Sequence, residues 1–454
     1  MNKQLDAIVI GAGLTGLTTA FYLNKQGKNI LVVDKAESVG GVIQTKEKNG
    51  FVYEAGPNTG ILGSPEIAEL FEDLNGSCQL EIGNEKVKKR YILHKAQWEQ
   101  LPSGLVKGVK TPLFSLKDKF RILGEPFRKP GTNPDETLAE LVKRRMGQSF
   151  LNYAIDPFIL GVYAGDPSYL VPKYALPKLY NLEQDYGSFI GGAIKKKFKS
   201  VDERTKKATR EIFSFKNGLS SLTKAIYETV GKDRFLLGAD SIQIQKEGEN
   251  YILNCTVNNE SLSFSTPNII TTVPAFELNK MLPFVEEKLV SEASNVFYAP
   301  VVEAAIGFKN WQGIDLDGFG GLIPHIEKRN VLGVMYMSSL FKDRAPENGA
   351  LMSVFIGGAR RQELTTMSKS ELENLVAQEM KQLMGLKDFN PDLFELTWHK
   401  KAIPQYGKES KERFEAVEKI RNQHKGLYIG GNLCDGIGMA DRVKQGRKLA
   451  LEIK

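Results

Sequence analysis

A glycine triplet near the start constrains this chain more than any other feature. Ala7-Ile8-Val9-Ile10 is a short apolar run of the kind that forms a strand buried on both faces, and Gly11-Ala12-Gly13-Leu14-Thr15-Gly16 follows it directly. Leu14, Leu17, Ala20, Phe21 and Leu23 then recur at helical spacing as far as Gly27, and Ile30-Leu31-Val32-Val33 reads as a second strand ending at Asp34. Gly11 allows a tight turn, and Gly13 lets the backbone approach a pyrophosphate with no Cβ in the way. Gly16 lets the helix lie close on the strand. The helix start offers free N–H groups and a positive dipole end to the phosphates. Asp34 stands 18 residues beyond Gly16, where a carboxylate accepts from a ribose hydroxyl. This is a dinucleotide site in a Rossmann-type unit.

Two further glycine segments bear on which dinucleotide it is. Gly40-Gly41 closes the loop after Asp34 and permits a second close backbone approach. Near the other end, a strand pattern from Gly426 runs into Gly430-Gly431-Asn432, and Gly436-Ile437-Gly438-Met439 opens a helical pattern over about 439–452. A helix beginning there suits the N1/O2 edge of a flavin, whose reduced ring carries negative charge. Glycine elements at both ends favour FAD held along its length over a dissociable nicotinamide.

A length of 454 residues suggests about two to three packed lobes. Hydrophobic residues at 41% and charged residues at 25% exclude wholesale disorder. The net charge of +7 could recruit an anionic substrate or an acidic membrane face, but it does not single out nucleic acid. Cys78, Cys255 and Cys434 are far apart, as are His94, His325, His399 and His424, so neither a disulfide framework nor a metal site is expected, and a reducing compartment fits. No run reaches the ~18–20 apolar residues of a spanning helix. The start from Met1 to Asp6 lacks the apolar region of a signal peptide. The expectation is a cytoplasmic chain with membrane-surface association left open.

In between, 64–75 reads as a helix opened by Ser64-Pro65-Glu66, and 100–180 is rich in proline and helical pattern. Lys195, Lys196, Lys197, Lys199, Arg204, Lys206, Lys207 and Arg210 form a basic stretch read as solvated. Strand patterns return at 241–244, 251–253, 268–274, 301–308, 331–337 and 351–356. There is no repeat and no linker, so lobes interleaved in sequence are expected.

Longer segments carry a family resemblance. They are Phe51-Val52-Tyr53-Glu54-Ala55-Gly56-Pro57-Asn58-Thr59; Arg90-Tyr91-Ile92-Leu93 with Leu101-Pro102-Ser103-Gly104-Leu105; Asp156-Pro157-Phe158 with Gly161-Val162-Tyr163-Ala164-Gly165-Asp166; and Gly318-Phe319-Gly320-Gly321-Leu322-Ile323-Pro324. With the two glycine ends, the chain resembles the flavin amine oxidase superfamily and, within it, the oxygen-dependent protoporphyrinogen oxidases. The resemblance implies an α/β fold (α+β overall): a Rossmann-like FAD-binding lobe from 1–66, 212–275 and 407–454, a mixed-sheet substrate lobe from 67–81, 181–211 and 276–406, and a helical region at 82–180 of the kind linked to membrane association.

The implied chemistry removes hydrogens from a porphyrinogen to give a porphyrin, with hydride passing to flavin N5 and oxygen as the acceptor. Coproporphyrinogen III, an amine substrate, or a non-catalytic flavin-stabilised scaffold are the alternatives. Cofactor contacts implied are Gly11, Gly13, Gly16, Asp34, Gly40, Gly41, Gly56, Pro57, Asn58, Ile242 (through its backbone beside the adenine), Gly431, Asn432, Ile437, Gly438 and Met439. Phe319, Leu322, Met335 and Phe355 would line a wide apolar pocket with Gly161, and Arg90 would hold a substrate propionate through two parallel bonds. No side chain stands out as general acid or base. The segment Leu433-Cys434-Asp435 departs from the family pattern, and Cys434 lies away from the position used for covalent attachment, so FAD is expected to be non-covalent. Partners are a porphyrinogen, molecular oxygen, a peripheral membrane surface and, left open, a second copy in a homodimer; nucleic acid is not among them.

Overall fold

In the computed structural model, which describes residues 5–87, 89–102, 104, 108, 110–198 and 200–453, the N-terminal unit forms as its pattern predicts. The readings on Met1–Gln4, Lys88, Ser103, Leu105 and Lys199 lie outside the described residues. β1 (Ala7–Ile10) pairs in parallel with β2 (Ile30–Val33) and with β14 (Ile269–Thr271). β10 (Phe235–Leu236) and β20 (Leu427–Ile429) complete the order β10-β2-β1-β14-β20. Every residue of β1 is buried because both faces are covered. One face carries the helices Leu14–Lys25, Ser220–Val230 and Met439–Glu452. The other carries the antiparallel layer β11 (Asp240–Glu247), β12 (Asn250–Val257) and β13 (Glu260–Thr266), with helices from 278–294 and 410–423. First and last segments of the chain thus share one core.

A second sheet has seven strands in the order β19 (Leu393–Pro404), β15 (Tyr298–Phe308), β18 (Ala350–Gly357), β17 (Gly333–Tyr336), β16 (Gly318–Leu322), β7 (Lys89–His94) and β8 (Gln97–Gln100). It is antiparallel except where β16 meets β7. Val302, Ala304, Ile306, Val334, Met352 and Val354 form its back face, closed by the helix Lys369–Met384. Two small sheets join the lobes: β3 (Thr45–Lys48) with β4 (Phe51–Glu54), and β5 (Gly60–Ile61), β9 (Ile212–Phe215) and β6 (Leu80–Ile82).

Two stretches sit elsewhere than the resemblance implied. Residues 89–100, assigned to the helical region, are β7 and β8, whose Ile92 and Leu93 bury against the sheet edge. The helices Pro177–Tyr186 and Phe189–Lys197, given largely to the substrate lobe, pack with the helix Leu138–Arg145 in the core of the helical region. Periodicity fixes which face of a segment is buried, but not which distant segment buries it. Among the described residues no helix is long and apolar enough to cross a membrane, and no group of three or more His, Cys, Asp or Glu is placed to hold a metal ion.

Candidate active site

At the carboxyl end of the parallel sheet, Gly11 turns at φ +104° and its N–H donates to the Val33 carbonyl at 2.8 Å. The Asp34 carboxylate accepts from the Ala12 N–H at 2.5 Å and the Ala36 N–H at 2.8 Å, which fixes it at the tip of β2. A Cβ on Gly16 would overlap the Gly11 carbonyl oxygen, so only glycine lets this helix lie so close to β1. A Cβ on Gly13 would meet nothing within 4 Å. Gly13 therefore borders open space, and Gly40 and Gly41 form its other wall: the Gly40 N–H donates to the Ala12 carbonyl at 2.8 Å, and a Cβ on Gly41 would lie 3.3 Å from the Gly13 Cα. This bare groove beside a helix N-terminus fits a pyrophosphate. At its outer end the Ala239 N–H donates to the Asp34 carbonyl at 2.9 Å; Ile242 follows at an irregularity in the β11–β12 register, half-buried against the core.

The two chain ends meet at Thr272. Its Oγ1 donates to the Ile10 carbonyl at 3.0 Å, and its own carbonyl lies 2.8 Å from where a Gly431 Cβ would stand. Gly431 adopts φ +95°, which only glycine takes without strain. Asn432 accepts from the Tyr298 hydroxyl through Oδ1 at 3.2 Å, Ile437 packs on the helical region, and Gly438 caps the helix that Met439 begins. Burial, with the Asp435 charge adding to it, pushes the Cys434 thiol up to about 12, so a thiolate does not form there at neutral pH.

The register of the second sheet puts the expected substrate residues on its front face. Glu303 stands opposite Phe355, Phe355 opposite Gly333, and Gly333 opposite Leu322; two residues along, Ala305, Ser353, Met335, Gly320 and Arg90 follow in the same way. A bulge between Gly318 and Gly320 turns Phe319 out of alternation, and the Arg90 guanidinium lies 5.5 Å from its ring centre. Arg90 is exposed and, among the described residues, makes no ion pair, whereas Lys89 pairs with Asp317. The helix Asp156–Tyr163 closes over this face, with Gly161 so near Leu322 that a Cβ would overlap its Cδ2.

The loop Gly56-Pro57-Asn58 bridges the two lobes. A Cβ on Gly56 would overlap the Val42 carbonyl oxygen, and the Asn58 amide is wholly engaged. Its Nδ2 donates to Glu303 Oε1 at 2.6 Å and the Gly56 carbonyl at 3.0 Å, while its Oδ1 accepts from the Ser353 hydroxyl at 2.6 Å. The backbone of this loop and the half-buried Pro57 ring are left to face a cofactor. Glu303 was not singled out from sequence; the signal is one acid inside the apolar run Val301-Val302-Glu303-Ala304-Ala305-Ile306.

Burial, reinforced by Glu54 and only partly opposed by the Asn58 bond, pushes the Glu303 carboxyl up to about 8. An unfolded chain loses this proton near pH 4.3, but the folded one keeps it until about 8. The folded state is therefore favoured most at low pH and loses roughly 3–5 kcal/mol as pH rises through that window. Glu303→Gln should flatten this slope, so thermal melts at pH 5 and pH 8 should show the variant gaining on the native protein at the higher pH. Parallel slopes would show that Glu303 is ionised throughout.

A groove without side chains that joins both chain ends, together with an apolar sheet face at whose edge Arg90 has no ion pair among the described residues, defines a flavin-dependent oxidoreductase. The chain belongs to the flavin containing amine oxidoreductase family, whose model matches residues 14–453, and its cofactor is FAD. The chain is 31% identical to protoporphyrinogen oxidase 2 (chloroplastic/mitochondrial) of Arabidopsis thaliana, over 99% of this chain and 95% of that one. It is 26% identical to coproporphyrinogen III oxidase of Bacillus subtilis (strain 168), over 98% and 97% respectively. A solved structure of a candidate protoporphyrinogen oxidase from Exiguobacterium sp. 255-15 shares the fold at a TM-score of 0.83 and 19% identity, covering 99% of both chains.

Proposed function

We propose that the chain oxidises protoporphyrinogen IX to protoporphyrin IX in porphyrin biosynthesis, with molecular oxygen as final acceptor. Bound non-covalently, FAD would supply a two-electron acceptor for hydride at N5 and return those electrons to oxygen as hydrogen peroxide. The protein's part is placement. Phe319, Leu322, Met335 and Phe355 offer an apolar wall to the macrocycle, and the helix Asp156–Tyr163 keeps water from it. Arg90 would take a propionate at the rim through a charge-assisted pair of hydrogen bonds.

The observation that carries the preference for a substrate with two carboxylates is the fate of the basic stretch. Arg204 pairs with Glu66 and Glu69, and Lys207 with Glu72, all on the helix Pro65–Asp73. Lys89 is also paired, whereas Arg90 has no ion pair among the described residues and is the cation proposed for the rim. Fluorescence detection of product with protoporphyrinogen IX and coproporphyrinogen III in parallel tests this: the larger kcat/KM belongs to the first, and a larger value for the second would reverse the assignment. Arg90→Ala should raise KM roughly ten- to hundredfold while kcat changes little. An unchanged KM would remove Arg90 from the site.

The same reading places the chain in the cytoplasm, against the inner face of the membrane. Leu116, Phe120 and Leu123 are exposed along one side of the helix Leu116–Leu123, Phe127 beyond it is 90% exposed, and Lys117, Lys119 and Arg121 flank them. An apolar stripe edged with basic residues suits an anionic leaflet. Phe120→Ser combined with Phe127→Ser should abolish co-sedimentation with anionic vesicles; retained binding would contradict the attachment.

A further inference from the structure

We propose that Tyr406, Arg413 and Arg442 are positioning residues that make the bound flavin easier to reduce, by holding the loop 432–436 through its carbonyl groups. The inference rests on the reading that FAD lies against this loop. All three side chains are more than nine-tenths buried. The Tyr406 hydroxyl donates to the carbonyls of Asn432 at 2.8 Å and Gly436 at 3.1 Å. Arg413 Nε donates to the Leu433 carbonyl at 3.0 Å, and an Arg442 terminal nitrogen to the Cys434 carbonyl at 2.8 Å.

Four carbonyls within five residues are thus drawn towards the protein. In a planar trans peptide the N–H points opposite to the C=O, and no peptide bond here is cis. The amides of Leu433, Cys434, Asp435 and Ile437 are accordingly turned away from these partners, as donors for negative charge. Hydrogen bonding of each carbonyl to a cation or hydroxyl polarises the peptide and strengthens its N–H as a donor.

Among the described residues Arg442 has no carboxylate partner, and Arg413 has only a long ion pair with Glu409, where buried arginines are usually paired closely. The other contact of Arg442 is the neutral Gln445 side chain at 2.8 Å, and among the described residues the Arg442 Nε has no partner. Arg413 is bonded otherwise to the Asn295 carbonyl and the Ser410 hydroxyl; its nearest acid, Glu409, lies 3.8 Å away and is itself engaged by Tyr169 and the Gly407 N–H. Asp435 and Asp441 are nearby, but Asp435 is exposed and Asp441 half-buried, each with a hydrogen bond of its own from Gln445 or Gly438. Buried positive charge that is at most weakly compensated behind the loop is costly by itself and favours negative charge developing in front of it.

The test is the equilibrium of the FAD-loaded protein with a reference redox dye. Arg442→Gln should shift it about tenfold towards oxidised flavin, about 30 mV for two electrons, and Arg442→Lys should restore most of the shift. Unchanged equilibrium in flavin-replete Arg442→Gln overturns the proposal. If that variant fails to retain flavin, the isosteric Tyr406→Phe decides: a smaller shift in the same direction supports the loop's role, and none refutes it. Failure of the native protein to bind FAD would instead overturn the underlying reading of the site.

Discussion

Gly13→Val folds with native stability and stays colourless in FAD, whereas Gly16→Ala loses the fold's stability itself. The two glycines lie three residues apart, and their surroundings differ. Gly13 has φ −73° and ψ 176°, an extended conformation that valine adopts readily, and its Cβ would point into the open groove. The branched side chain would occupy the place of the pyrophosphate and should weaken FAD binding by at least about a hundredfold, or roughly 2.7 kcal/mol. A Cβ on Gly16 meets the Gly11 carbonyl and, at 2.9 Å, the Thr272 hydroxyl, so the helix must lift off β1. Overpacking of that kind costs about 1–3 kcal/mol, and here it acts on fixed backbone, so the upper end is expected. Flavin titration beside thermal melts separates the two effects. A yellow Gly13→Val protein would place the cofactor elsewhere.

Arg145→Ala should destabilise the helical region by about 3–5 kcal/mol. Arg145 and Glu125 are fully buried and paired, and Arg145 also reaches Glu183 at 3.0 Å and the Gly187 carbonyl at 2.8 Å. Glu125 in turn accepts from the Ser188 hydroxyl at 2.6 Å and the Phe189 and Ile190 amides at 2.9 and 3.1 Å, closing the start of the helix Phe189–Lys197. Burial alone would raise its carboxyl, but these bonds and Arg145 hold it below the usual range. Removing the guanidinium leaves that charge buried without its partner. Arg145→Met with Glu125→Gln should recover part of the loss, since the glutamine oxygen still accepts from the Ser188 hydroxyl and the Ile190 amide while the uncompensated charge is gone. Amide hydrogen exchange across 125–197 measures both, and equal protection in Arg145→Ala and the native protein would contradict the role of the pair.

The dinucleotide unit was legible because its signal is local. β1, the helix, β2 and Asp34 lie within 34 residues, and each glycine answers a steric need of its own neighbourhood. The terminal glycine loop and the helix Met439–Glu452 were legible for the same reason. Glu303 and Asn58 were not read as partners, because 245 residues separate them and each is unremarkable alone. The parallel pairing of β16 with β7 likewise depends on closure over more than 200 residues, which no local pattern encodes. The basic stretch near 204 is largely exposed as read, but the acids of the helix Pro65–Asp73 that pair with Arg204 and Lys207 lie too far off in sequence to be read as partners. Arg413 and Arg442 look like ordinary charges on helical segments, and only packing reveals that they turn inward to backbone carbonyls.

Anaerobic mixing of the FAD-loaded protein with protoporphyrinogen IX tests the central claim most directly. Placement of the macrocycle against the flavin predicts loss of the yellow absorbance together with the rise of porphyrin fluorescence, and return of the colour when oxygen is admitted. A flavin that stays yellow in the presence of excess porphyrinogen would contradict it.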